Sequence, residues 1–151
     1  EEFFQQTSEK TWVLFAKGGE FSPYYADLHL VVNWKNQGKE IKQRINPKTK
    51  KPYSNVWQLA STERDCFFRK GLTWTLRTQI GFNMRLMPAG AIFSHKGCIA
   101  LVPNSQIPYY LGLSNSSTFR LLASLRTAFG SYEVGVIKFT PIPKKSAYQI
   151  E

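Results

Sequence analysis

Hydrophobic positions along this chain fall in short runs, most with the alternation of a strand, and only one stretch carries a helical period. Thr11-Trp12-Val13-Leu14-Phe15-Ala16 is dense in β-formers, and residues 26–32 alternate in part with period two, so both predict strands. Between them, residues 17–25 combine two glycines, a proline and non-periodic aromatics, the composition of a surface loop. A short helix is expected over residues 38–45, followed by a basic loop that ends at Pro52. Residues 66–78 are dominated by aromatic and β-branched side chains interrupted by Gly71, and predict a strand, a turn and a second strand. Residues 82–87, 91–93 and 97–103 add three apolar runs, and a meander of antiparallel strands is the simplest arrangement. Tyr109, Tyr110 and Leu113, then Phe119, Leu122, Leu125 and Phe129, recur at three- and four-residue steps. With Ser114, Ser116 and Ser117 as candidate caps, they predict two helices joined near Ser114 and stopped at Gly130. Residues 131–143 return to extended chain ending in prolines, a candidate final strand. The expected fold class is α+β: a twisted, mostly antiparallel β-sheet with a few packed helices, two of them near the C-terminus.

A length of 151 residues with 42% hydrophobic and 15% aromatic content suffices for one core, so residues 1–151 are expected to form one domain with 144–151 as a linker or tail. No apolar run approaches the ~18 residues needed to cross a bilayer. The acidic opening Glu1-Glu2-Phe3-Phe4 lacks the basic and apolar regions of a signal peptide. A cytoplasmic chain without a membrane partner is expected. The start without Met suggests a segment of a longer polypeptide. Cys66 and Cys98 have no neighbouring pair or histidine at zinc-site spacing, and each reads as a small buried hydrophobe rather than a metal ligand.

Charge changes the picture most. The chain carries a net charge of +10, and residues 66–150 hold ten Lys or Arg against one acid, Glu133. A folded surface with that imbalance repels itself, and a polyanion such as nucleic acid is the usual compensating partner. Residues 35–51 add seven basic residues against Glu40, and both a solvated loop and a phosphate-contacting one fit that run.

Chemistry within the segment is poorly supported. The ten acids are scattered, His29 and His95 are the only histidines, and Lys17-Gly18-Gly19 lacks the spacing and following helix of a phosphate loop. His29, in a strand pattern, reads as a structural histidine; His95, in the polar Ser94-His95-Lys96-Gly97, is a contact candidate. Catalysis is not expected here, and no metal or cofactor site is predicted in the segment.

Several strings nevertheless resemble a known family. They are Gly71-Leu72-Thr73-Trp74 with Arg77, residues 85–97 (Arg85-Leu86-Met87-Pro88-Ala89-Gly90-Ala91-Ile92-Phe93-Ser94-His95-Lys96-Gly97), residues 110–119, and residues 131–138 with Pro141-Ile142-Pro143. Together with Trp12-Val13, Phe15-Ala16-Lys17-Gly18-Gly19, Ser22-Pro23-Tyr24-Tyr25 and Val31-Val32-Asn33-Trp34, they resemble the TaqI-like specificity region of large adenine-specific N-6 DNA methyltransferases. These are type IIG restriction-modification and BREX-type phage-defence enzymes of prokaryotes. The resemblance spans residues 11–143. It implies a target recognition domain that binds double-stranded DNA beside the methyltransferase domain of its own parent chain. Neither the glycine-containing S-adenosylmethionine loop nor the Asn-Pro-Pro-Tyr motif of such enzymes occurs here, so cofactor binding and methyl transfer are expected elsewhere in the parent.

In a DNA-binding domain, Lys and Arg on phosphates give affinity and register while a few side chains reach base edges. Arg69, Lys70, Arg77, Arg85 and Lys96 are the leading phosphate or guanine contacts, with Arg77 or Arg85 the candidate base reader and a phosphate clamp the alternative. Tyr24, Tyr25 and Trp74 are candidates to stack or wedge beside a distorted base pair, although Trp74 also fits a core position. Lys17, His95, Tyr132 and Lys138 complete the candidate set. Two other classes stay open: a protein-docking or structural module of the same enzyme, and an RNA-binding domain. An independent nuclease is a third.

Overall fold

The computed structural model describes residues 12–52, 62 and 65–144. Six strands form two three-stranded sheets among these residues. β1 (Trp12–Ala16), β2 (Val31–Asn33) and β5 (Ala91–Phe93) lie in the order β2-β1-β5, and β3 (Gly71–Thr75), β4 (Met84–Met87) and β6 (Gly97–Ala100) lie in the order β4-β3-β6. The described part also holds four α-helices with full bounds, α1 (Lys35–Lys42), α2 (Ile107–Asn115), α3 (Ser117–Ser124) and α4 (Val134–Lys138), and a 3-10 turn at Asn104–Gln106. The fold class is α+β, as expected.

The expected meander is not what forms. β3 pairs antiparallel with both β4 and β6, but β5 leaves that run and pairs parallel with β1. The reason lies in β5 itself. Ala91, Ile92 and Phe93 are all buried, and a strand apolar on both faces needs cover on both, which is the usual environment of parallel pairing. Phe93 and Met87 join Val13, Phe15, Trp34, Phe67 and Ile92 in the first core, where Phe67 meets Phe93 edge-on at 5.2 Å.

β3 has a clean alternation. Leu72 and Trp74, with Leu76 beyond the strand, turn into the second core with Phe82, Met84, Cys98, Phe119 and Tyr132. Thr73 and Thr75 occupy the opposite face, and Thr73 is in register with Arg85 of β4. Asn115 at the end of α2 ties that helix to β4: its Oδ1 accepts from the Met84 amide at 2.9 Å, and its Nδ2 donates to the Met84 carbonyl at 2.8 Å.

Other expectations need correction. The strand over 26–32 shrinks to β2, and His29, expected to be structural, lies outside it and is exposed. α1 spans Lys35–Lys42, but Asn36, Gln37 and Gly38 have left-handed φ/ψ, so the expected helix from Gly38 keeps its start after a kink and ends short, at Lys42; a Cβ at Gly38 would lie 2.7 Å from the Trp34 ring. Residues 66–78 hold one strand rather than two. Phe68 takes φ 64 in a turn, and Gly71 begins β3 because a Cβ there would come 2.9 Å from the Ala100 carbonyl, so this glycine serves close strand packing.

The two helices near the C-terminus form as expected, joined at Ser116, whose Oγ caps α3 by accepting from the Phe119 amide at 3.2 Å. α3 stops at Ser124, however, leaving Leu125 and Phe129 exposed, and Gly130 serves a close pairing with Thr78 rather than a helix stop. Residues 131–143 are not a final strand. Tyr132 is anchored in the second core, and the chain then forms α4, whose Ile137 packs on that core. Of the expected tail, 145–151 lies outside the described residues, as does Thr11 of the first predicted strand.

Candidate nucleic-acid interface

Register brings separated cations together. Because β1 and β5 are parallel, with Ala16 beside Phe93, the residues that follow them, Lys17 and Ser94-His95-Lys96, leave the first sheet at the same end. The Ser94 amide donates to the Ala16 carbonyl at 3.0 Å and closes this junction. β6 starts at Gly97 and pairs antiparallel with β3, so Gly97 is opposite Thr75 and the end of β3 is beside Lys96. The Leu76 amide donates to the Lys96 carbonyl at 3.2 Å, and Arg77 follows. Lys17, His95, Lys96 and Arg77 are all exposed at this corner, where the two sheets meet. Among the described residues, none of them has a carboxylate partner.

Arg69 and Lys70 are exposed as well but precede Gly71, at the opposite end of β3. A five-residue strand is about 17 Å long at ~3.3 Å per residue, so these two form a separate basic point. Arg69 donates to the Asp65 carbonyl at 2.8 Å. Lys138 is exposed in the last turn of α4 with its ammonium 5.7 Å from the Phe139 ring, apart from both groups in the chain.

Three of the expected contact residues are buried. Trp74 is 2% exposed, and its indole Nε1 donates to the Tyr132 carbonyl at 2.8 Å. Tyr132 is 4% exposed, packs on Phe82 at 5.3 Å and donates its amide to the Leu76 carbonyl. Together they hold the end of β3 in place rather than offering a free face. Arg85 is also buried, beneath the 17–20 loop. Its guanidinium donates to the Thr75 Oγ1 at 3.0 Å and the Glu20 carbonyl at 3.3 Å, while Thr75 Oγ1 donates to the Gly19 carbonyl at 3.0 Å. Burial pulls the Arg85 pKa below the usual arginine range.

Tyr24 and Tyr25 are exposed, and Tyr24 lies along the outer edge of β4. The Tyr24 amide donates to the Met84 carbonyl and its carbonyl accepts from the Leu86 amide, both at 2.9 Å. Tyr24 takes φ 74, a conformation unusual for a bulky residue, and is 52% exposed. The Tyr25 hydroxyl donates to Asp27 Oδ1 at 2.6 Å, and that bond with the Asp27 charge holds the phenol pKa above its usual value.

The basic 46–51 loop is an organised turn. Asn46 Oδ1 accepts from the Lys48 and Thr49 amides, and Ile45 bridges to Pro52 at its base, so Lys48, Lys50 and Lys51 project from a closed loop. Sequence reasoning missed the roles of Thr75, Glu20 and Asp27 around Arg85. The signal was present in the alternation: Thr73, Thr75 and Arg85 are the polar members of strands whose other members are apolar, which marks a face that is not ordinary core.

No family model matches the chain. It is 27% identical over 143 residues to the adenine-specific methyltransferase PglX of Lacticaseibacillus casei (strain Zhang), covering 94% of this chain and 12% of that protein. It is 28% identical over 139 residues to the adenine-specific methyltransferase BrxX of Escherichia coli O9:H4 (strain HS), covering 89% of this chain and 10% of that protein. The chain is thus distantly related to about a tenth of the length of these methyltransferases.

Proposed function

We propose that this chain is the DNA target recognition segment of a BREX-type adenine-specific methyltransferase, binding duplex DNA while another part of the parent polypeptide transfers the methyl group. The observation that carries this reading is the corner where Lys17, Arg77, His95 and Lys96 emerge exposed from both sheets and, among the described residues, without carboxylate partners. Side chains so placed neutralise phosphates and release counterions, giving affinity without sequence choice. Arg69 and Lys70, about one strand length away, supply a second point of contact, which fixes orientation on the duplex.

The Gly18-Gly19 bend does not fit S-adenosylmethionine. The Gly18-Gly19 bend follows a strand but leads into loop rather than a helix, and a Cβ at Gly18 would lie 2.9 Å from the Lys96 carbonyl, so that side of the bend is filled by protein. The cofactor belongs to the parent outside this segment, and the segment itself is non-catalytic.

A second reading has its own observation. Leu121, Leu125 and Phe129 are 60%, 74% and 98% exposed, an apolar surface that suits docking on the remainder of a long polypeptide. The two readings are compatible. The test is competition for the chain bound to a fluorescent DNA duplex: unlabelled duplex DNA displaces it, while duplex RNA competes at least ~10-fold less well, because A-form grooves present different phosphate spacing. Equal competition by RNA would overturn the DNA assignment.

A further inference from the structure

An open cleft of about 760 Å³ lies between the 18–30 loop and β4, within the size range of small-ligand sites. Gly18, Gly19, Glu20, Tyr25, Asp27 and His29 line it together with Arg85. Arg85 is the unusual member. It is 5% exposed, its two hydrogen bonds use only part of a guanidinium with five N–H donors, and among the described residues no carboxylate pairs with it. A buried cation without a counter-ion is costly unless a partner rich in acceptors completes its hydrogen bonds.

The rim decides which partner. Glu20 and Asp27 are exposed carboxylates lining the same cleft, and they repel a phosphate. A neutral planar group fits better, with acceptors facing Arg85 and donors facing the acids. Guanine has this pattern: O6 and N7 accept in a bidentate pair from an arginine, while N1–H and N2–H donate. In a duplex those donors are committed to cytosine, so both edges are free only when the guanine is unpaired. Tyr25, 61% exposed at the rim, offers a ring for such a base to stack on. Its hydroxyl occupies Asp27 Oδ1 and leaves the second carboxylate oxygen for the base.

We propose that this cleft receives an unpaired guanine of the bound DNA, with O6 and N7 on Arg85 and N1–H and N2–H on the carboxylates of Asp27 and Glu20. The inference rests on the DNA-recognition reading and adds to it a base-selective site distinct from the phosphate-binding corner. Arg85 selects a base here instead of clamping a phosphate.

The test measures affinity of the chain for one DNA duplex, fully paired or carrying a single unpaired G, A, C or T. About tenfold tighter binding to the unpaired guanine than to the other three is expected, as for one good base contact. Arg85→Lys and Asp27→Asn each bring the four unpaired bases to similar affinity while binding of the paired duplex holds. Asp27 is exposed, so its variant still reads the site if Arg85→Lys fails to fold. Equal affinity for all four bases in the unaltered chain, or a guanine preference that survives Asp27→Asn, overturns the guanine site while paired-duplex binding leaves DNA recognition standing. Absence of binding to every duplex overturns both.

Discussion

A Cβ placed on Gly97 would lie 2.6 Å from the carbonyl oxygen of Ala16 and 3.0 Å from the amide nitrogen of Gly18. This contact sets how closely the turn after β5 approaches the loop after β1, and so how closely Lys96 approaches Lys17. The neighbours are backbone and have little room to give. Gly97→Ala is expected to destabilise the chain by about 1–3 kcal/mol, the usual cost of overpacking, and to weaken DNA binding through a displaced corner. Urea unfolding measures the first effect, and a variant as stable as the unaltered chain would show that the junction is more pliable than this geometry indicates.

Trp74→Phe separates structure from recognition. It removes the Nε1 bond to the Tyr132 carbonyl and leaves that acceptor buried, at a cost of about 1–3 kcal/mol. Because Trp74 offers no exposed face, the salt dependence of DNA binding should match that of the unaltered chain under conditions where the variant is folded. A changed salt dependence would place Trp74 at the interface.

Ser116→Ala tests the junction of α2 and α3. Loss of the cap on the Phe119 amide is expected to cost about 1 kcal/mol in chemical denaturation. No change would mean that the N-terminus of α3 finds another acceptor.

Cys98 gives a pH signature. Burial is the main reason its thiol pKa rises from 9.0 to about 11, with the Glu133 charge adding to it. The folded state therefore keeps this proton where the unfolded state has lost it. With fewer protons bound in the unfolded state, stability falls as pH rises from about 9 towards 11, and that contribution is fully present below pH 9. Cys98→Ala should flatten this part of the stability profile, measured as the difference between the two chains so that lysine and tyrosine titration cancels. Parallel profiles would contradict the shift.

How far the fold and site were legible in the sequence follows from what sets each feature. β1, β4 and the α2–α3 pair were readable because their side-chain periods and the capping serine are local. The pairing of β5 with β1 was not, because it depends on which distant strand covers a run apolar on both faces. Gly71 and Gly130 read as turn and stop signals, yet each is required by a backbone from another segment, Ala100 and Thr78, which no local pattern reveals. At the exposed corner, Lys17, Arg77, His95 and Lys96 were identifiable as cations or a loop histidine, but their convergence is a product of strand register. Arg85 was chosen for its charge, and only its place beneath the 17–20 loop separates it from the exposed basic group.

The central claim is that the exposed corner neutralises DNA phosphates, and the dependence of duplex affinity on salt tests it most directly. If Lys17, Arg77 and Lys96 together with Arg69 or Lys70 engage phosphates, affinity should fall on the order of 10²-fold between about 50 and 200 mM salt, and Lys17→Ala with Lys96→Ala should reduce the logarithmic slope by about 2. Affinity that stays flat across this range, or a slope unmoved by the double substitution, would contradict the account.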